Sequence, residues 1–103
     1  MDDSQWFAQR LTQLRIEKGV SSRDMSLSLG QSESYINKIE NRRALPSMSG
    51  FLSICDYFGI RPSDFFNADI ASPSKATEIQ RLLGTLPPHK ADHILQVIRD
   101  LCE

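Results

Sequence analysis

Apolar residues recur at helical spacing along most of the chain, with short polar or glycine/proline-containing breaks between the runs. Trp6, Phe7, Leu11, Leu14 and Ile16 supply the apolar surface of a helix predicted from Ser4 to Lys18, which Gly19 ends. Ser21 is a good N-cap for a second helix, with Asp24 three residues on and Met25, Leu27 and Leu29 as its apolar positions; Gly30 is its left-handed stop. Ser32 is placed to cap a third helix, whose Tyr35, Ile36 and Ile39 form one narrow buried stripe. Pro46-Ser47 opens a fourth helix that runs to Phe58 and closes at Gly59. Pro62 suits the first turn of a short fifth helix carrying Phe65 and Phe66. Ala71-Ser72-Pro73-Ser74 reads as a linker. Beyond it, Ile79, Leu82, Leu83 and Leu86, and then Ala91, Ile94, Leu95, Ile98 and Leu101, keep the helical period on either side of Gly84 and Pro87-Pro88. The pattern predicts an all-α protein with five short helices in residues 1–70 and a C-terminal helical hairpin in residues 71–103, with no internal repeat.

Length and chemistry narrow the classes. A chain of 103 residues that is 40% apolar builds one small core. No apolar run approaches a membrane span, and Met1-Asp2-Asp3 lacks the basic and apolar regions of a signal peptide, so a cytoplasmic protein with no membrane partner is expected. Cys55 and Cys102 are far apart with no CxxC, which gives neither a disulfide framework nor a zinc pattern; Cys55, among Phe51, Leu52, Ile54 and Phe58, reads as a core residue. His89 and His93 stand four residues apart but have no third ligand nearby, so they read as surface residues, and no metal or cofactor is expected. No nucleophile is placed beside a base, no acid–base pair is set up and no glycine-rich phosphate loop is present; an enzyme is not expected.

The informative stretch is Ser21 to Glu40 with Asn41, Arg42 and Arg43 after it. Two short helices joined by a glycine-containing turn are the outline of a helix-turn-helix, whose second helix enters the DNA major groove. With Tyr35, Ile36 and Ile39 inward, Glu33, Ser34, Asn37 and Lys38 fall on the other face. Asn typically reads adenine, Lys guanine, and Glu accepts from cytosine N4. Leu14-Arg15, Lys18-Gly19, Leu29-Gly30, Ser32, Tyr35-Ile36, Ile39-Glu40-Asn41, Pro46-Ser47, Phe58-Gly59-Ile60 and Asp64-Phe65-Phe66 come in an order and spacing that resembles the phage repressor and Cro type of helix-turn-helix, the Xre family, from about Trp6 to Phe66.

The resemblance implies a lambda-repressor-like bundle of five helices that binds double-stranded DNA, usually as a homodimer. It implies base contacts from Ser32, Glu33, Ser34, Asn37 and Lys38, and phosphate contacts from Ser22, Arg23, Tyr35, Arg42 and Arg43. It also implies a structural ion pair between Arg15 and Glu40. Departures from the family pattern are Ser22 where Gln is common, Ser26 where Ala is usual, Glu33 early on the reading helix, and Arg42 where Gly often follows the Glu-Asn step. Arg42 there trades an easy left-handed turn for a phosphate contact.

Charge gives a mixed signal. The net charge of −1 argues against nucleic acid. Locally, though, Lys18, Arg23, Lys38, Arg42 and Arg43 face only Asp24, Glu33 and Glu40, which leaves the motif positive. The expected function is a sequence-specific transcriptional regulator, a repressor on a palindromic operator. The alternative is a helix-turn-helix-fold interaction module of antitoxin or antirepressor-target type; either leaves room for a protein antagonist as partner. The C-terminal stripe of Leu82, Leu86, Ile94, Leu95, Ile98 and Leu101 either pairs with a second copy or packs onto its own domain, with dimerisation preferred.

Overall fold

The computed structural model describes residues 3–69 and 72–103, all helix and connecting turns, with no strand among them. The expected linker residue Ala71 and the acidic Met1-Asp2 lie outside the described residues. The elements are α1 (Asp3–Lys18), α2 (Ser22–Ser28), α3 (Tyr35–Glu40), α4 (Met48–Phe58), α5 (Pro62–Phe65), α6 (Pro73–Leu83) and α7 (Pro88–Leu101).

Local chemistry sets most of these boundaries. Ser21 and Ser47 cap α2 and α4, accepting from the backbone N–H groups of Asp24 and Gly50. Asp64 caps α5 by accepting from Arg61 N at 3.0 Å. Helices α1, α2, α3 and α4 all end in one arrangement, in which a residue at positive φ turns the chain back and two amide N–H groups return to carbonyls of the last turn. Gly19, Gly30 and Gly59 hold that left-handed position after α1, α2 and α4. After α3 it is held by Arg42, at φ 60°, with Arg42 N donating to Ile39 O and Arg43 N to Lys38 O. A side chain at that φ is strained by roughly 1–2 kcal/mol. Glycine there gives back part of this as extra freedom in the unfolded chain, so Arg42→Gly is expected to stabilise the protein by roughly 0.5–1 kcal/mol. A thermal melt followed by circular dichroism should show Tm rising by a few degrees.

Leu11, Leu14, Met25, Ile36, Ile39, Phe51, Ile54, Cys55, Phe58, Ile60 and Phe65 form the core, drawn from α1 to α5 and the turn before α5. Phe65 is its hinge point, with ring centroids 4.8 Å from Phe7 and 5.1 Å from Phe51, the latter edge-on. Ile16 and Leu27, which share the apolar period of their helices, are exposed instead, because each helix is too short or too far rotated to bring every apolar position inward.

Arg10 lies inside this packing, 3% exposed. It donates from Nε to Phe65 O at 2.6 Å, from Nη2 to Asp64 O at 2.9 Å and Asn67 O at 3.1 Å, and from Nη1 to Gln13 Oε1 at 3.0 Å. A guanidinium on α1 thus satisfies the carbonyls at the C-terminal end of α5, where the helix dipole is negative. Burial lowers the Arg10 pKa, and nearby Glu17 opposes that shift.

Polar contacts tie α6 to this bundle. Asp64 Oδ2 accepts from Thr77 Oγ1 at 2.8 Å, and Arg61 Nη2 donates to Gln80 Oε1 at 2.7 Å. Helix α7 contributes no buried residue; Ile94, Leu95, Ile98 and Leu101 are all exposed. The described chain is accordingly drawn out, 49 × 29 × 24 Å with a radius of gyration of 16.6 Å, against about 13 Å for a compact domain of this length. Of the two cysteines, Cys55 is buried and Cys102 exposed.

Candidate nucleic-acid interface

The site is built from α2, the turn after it and α3. Ser26 sets their relation. It is fully buried, its Oγ donates to Ser22 O at 2.7 Å, and the same oxygen accepts from Ile36 N at 3.0 Å. One small hydroxyl therefore permits close helix approach and also satisfies an amide in the first turn of α3, which lacks a partner within its own helix. Its signal in the sequence was the hydroxyl at a position where the family pattern has alanine.

Helix α3 begins at Tyr35, later than the Ser32 cap implies. Ser32 instead closes a turn, its carbonyl accepting from Tyr35 N at 3.0 Å, and Ser34 occupies the cap position without a side-chain bond. Ser32, Glu33 and Ser34 thus lie on the turn leading into α3 rather than on the helix. Asn37 and Lys38 lie on α3 and are exposed, because Ile36 and Ile39 take the inward positions on either side of them. Arg43, also exposed, follows directly in the left-handed turn.

The residues assigned to phosphates are spread around this surface. Ser22 starts α2 and is half-buried. Arg23, next along, is exposed and donates from Nε to Glu33 Oε2 at 3.2 Å. Tyr35 is half-buried; a Cβ built on Gly50 would lie 2.8 Å from its hydroxyl oxygen, so the phenol packs on the first turn of α4. That burial raises the Tyr35 pKa. The Arg42 side chain borders a shallow groove along α1 beside Gln9, Gln13 and Glu40.

Behind the surface, Arg15 grips Glu40 in a bidentate pair, Nε to Oε2 at 2.7 Å and Nη2 to Oε1 at 3.0 Å, and Nη1 donates to Val20 O at 2.9 Å. The hydrogen bonds to Glu40 raise the Arg15 pKa against the opposing effect of burial. The pair fastens the end of α3 to α1, and so fixes the angle at which Asn37 and Lys38 are presented. Lys18 is drawn aside, its Nζ lying 4.8 Å above the Tyr57 ring centre.

The six apolar residues assigned to the dimer stand apart from this surface, on α6, α7 and the turn between them. Leu82, Ile94, Leu95, Ile98 and Leu101 are exposed and Leu86 is half-buried. His89 and His93 fall on the opposite face of α7. No helix among the described residues is long and apolar enough to cross a membrane.

A family model described as a helix-turn-helix domain matches residues 8–69, from the middle of α1 to just past α5. No curated protein and no solved structure matches the chain.

Proposed function

We propose that this chain, which belongs to the helix-turn-helix domain family, is a sequence-specific transcriptional regulator of the phage repressor and Cro type, acting as a repressor in the cytoplasm. The observation that carries the reading is the union of α2 and α3 through Ser26 and Ile36, with Asn37 and Lys38 exposed on the second helix. A helix so held can lie in the major groove and set two side chains capable of base readout against base edges. Arg43 at its end, and Ser22 and Arg23 at the start of α2, are suited to the flanking phosphates. Residues 1–70 serve as the DNA-binding domain and residues 71–103 as a dimerisation element. One such domain reads few base pairs, and a two-fold pair matches a palindromic operator. The apolar face of α7, on which no residue is fully buried in its own chain, supports pairing over packing back.

Purified protein mixed with sheared genomic DNA near physiological salt is expected to retain one palindromic motif. The Asn37→Ala, Lys38→Ala double variant is expected to lose it, since each base contact discriminates by about 1–3 kcal/mol. Sequencing of the retained fragments reads the result. Diffuse recovery, unchanged by the substitutions, overturns the regulator reading.

A second reading, an interaction module with weak DNA binding, draws on cations of the motif that already have partners within the chain. Glu33 meets Arg23, and Lys18 is turned to Tyr57, so fewer cations face outward than the sequence count suggests. Steep loss of DNA affinity with rising salt, with a shallower slope in Arg43→Ala, favours the regulator; a flat response favours the module.

A further inference from the structure

The Arg23–Glu33 pair spans the motif, with α2 on one side and the turn into α3 on the other. Both side chains are about two-thirds exposed, 66% and 67%, so little surrounding packing holds them and either partner can leave at small cost. Glu40 is engaged by Arg15, and Asp24 lies in the first turn of α2, where a carboxylate suits the helix dipole. Glu33 is therefore the motif acid that meets a cation with the chemistry of a phosphate contact.

We propose that Glu33 is a specificity-determining residue that acts through Arg23. In the free protein its carboxylate occupies the guanidinium and withholds it from phosphates. A base pair that offers an amino donor in the major groove, as cytosine N4 does, takes the carboxylate and releases Arg23 to the DNA backbone. This rests on the DNA-binding reading above and adds how cognate and arbitrary sequences are told apart.

Discrimination is a difference of affinities, and a group that weakens the wrong complex contributes as much as one that strengthens the right one. On an arbitrary duplex a phosphate must displace Glu33 from Arg23. The lost pair then offsets part of the gain, and the displaced carboxylate is left facing the phosphate backbone. On a duplex with cytosine opposite Glu33, both charges find partners at once. The near-neutral net charge agrees with this design, because a protein with a weak general attraction for DNA spends less time on wrong sites.

The test compares four full-length proteins: wild type, Glu33→Gln, Arg23→Ala and the double variant. Each is titrated with an arbitrary-sequence duplex at several salt concentrations and selected against a pool of randomised duplexes. Both side chains are exposed, so all four are expected to fold with similar melting temperatures. Glu33→Gln is expected to bind the arbitrary duplex about five-fold more tightly, to steepen the salt slope by about one, and to shift a cytosine preference at one position of each half-site towards adenine, which an amide reads. In the Arg23→Ala background the same change is expected to gain less than about two-fold, because its effect runs through Arg23. An equal gain with and without Arg23 overturns the coupling, since Glu33 then repels phosphates on its own. A wild type that selects a motif which Glu33→Gln reproduces without change overturns this inference and leaves the regulator reading standing. A wild type that retains no duplex removes both.

Discussion

Arg10→Ala is expected to destabilise the protein by about 3–5 kcal/mol, because several carbonyls around it lose a charged donor, at about 1–3 kcal/mol each. The substitution removes the side-chain donor to Phe65 O and Asn67 O, and one of the donors to Asp64 O, which also accepts from Asn67 N. A domain of this size has about 5–15 kcal/mol of stability in total, so the loss is a large share of it. Tm should fall by roughly 15 °C or more, at about 4–8 °C per kcal/mol. Arg10→Lys keeps the charge but has one ammonium for a set of carbonyls arranged around a planar fork, and is expected to recover only part of the loss. Urea unfolding monitored at 222 nm distinguishes the three proteins. A wild-type midpoint in Arg10→Ala would mean that the carbonyls find other donors and that the cluster is not what docks α5 on α1.

Leu95→Asp and Ile98→Asp are expected to abolish dimerisation. Both residues lie on the exposed stripe of α7 with Ile94 and Leu101. A two-fold interface meets each substitution twice, and an unpaired carboxylate moved into apolar contact costs several kcal/mol. The dissociation constant should rise about a thousand-fold or more, leaving a species of 11.7 kDa at micromolar concentration by sedimentation equilibrium. Since α7 supplies no residue to the core of the bundle, neither change should much alter its melting. His93→Asp, on the opposite face of the helix, is the matched control and should leave the mass unchanged. Operator affinity should fall with the dimer, because the two reading helices then bind independently. Wild-type protein that is already monomeric would overturn the dimer reading, and variants that stay paired would place the self-association surface elsewhere.

The fold was legible wherever a boundary depends on local chemistry. Ser21 capping α2, Gly19, Gly30 and Gly59 at left-handed turns, and Pro62 opening α5 each act within a few residues of themselves. The start of α3 was not legible. Ser32 has the composition of a cap, yet the helix begins three residues later, where Ser26 from the preceding helix accepts from Ile36 N. A bond across ten residues leaves no periodic trace. Arg10 was hidden for a related reason: its partners are backbone carbonyls more than fifty residues away, and a carbonyl has no side-chain identity to read. What remained visible was a basic residue between Phe7 and Leu11 on an otherwise apolar face.

At the candidate interface, the outward facing of Asn37 and Lys38 was legible because Ile36 and Ile39 dictate which way the rest of α3 faces. The pairing of Arg23 with Glu33 depends on the angle of the turn between helices, which composition does not encode. The same holds for α6, which polar groups on Arg61, Asp64, Thr77 and Gln80 hold to the bundle rather than the apolar period that revealed it as a helix.

The two sulfurs differ in a way that makes the unmodified chain convenient to handle. Cys55 sits in the core, where burial and the nearby carboxylates of Asp56 and Asp64 push its thiol up to about 11, so at neutral pH it holds almost no thiolate and is closed to alkylating reagents. Cys102 is exposed just past the end of α7. The natural protein is thus a one-thiol substrate for maleimide chemistry, with its attachment point at the tip of the helix assigned to pairing and none inside the domain assigned to DNA.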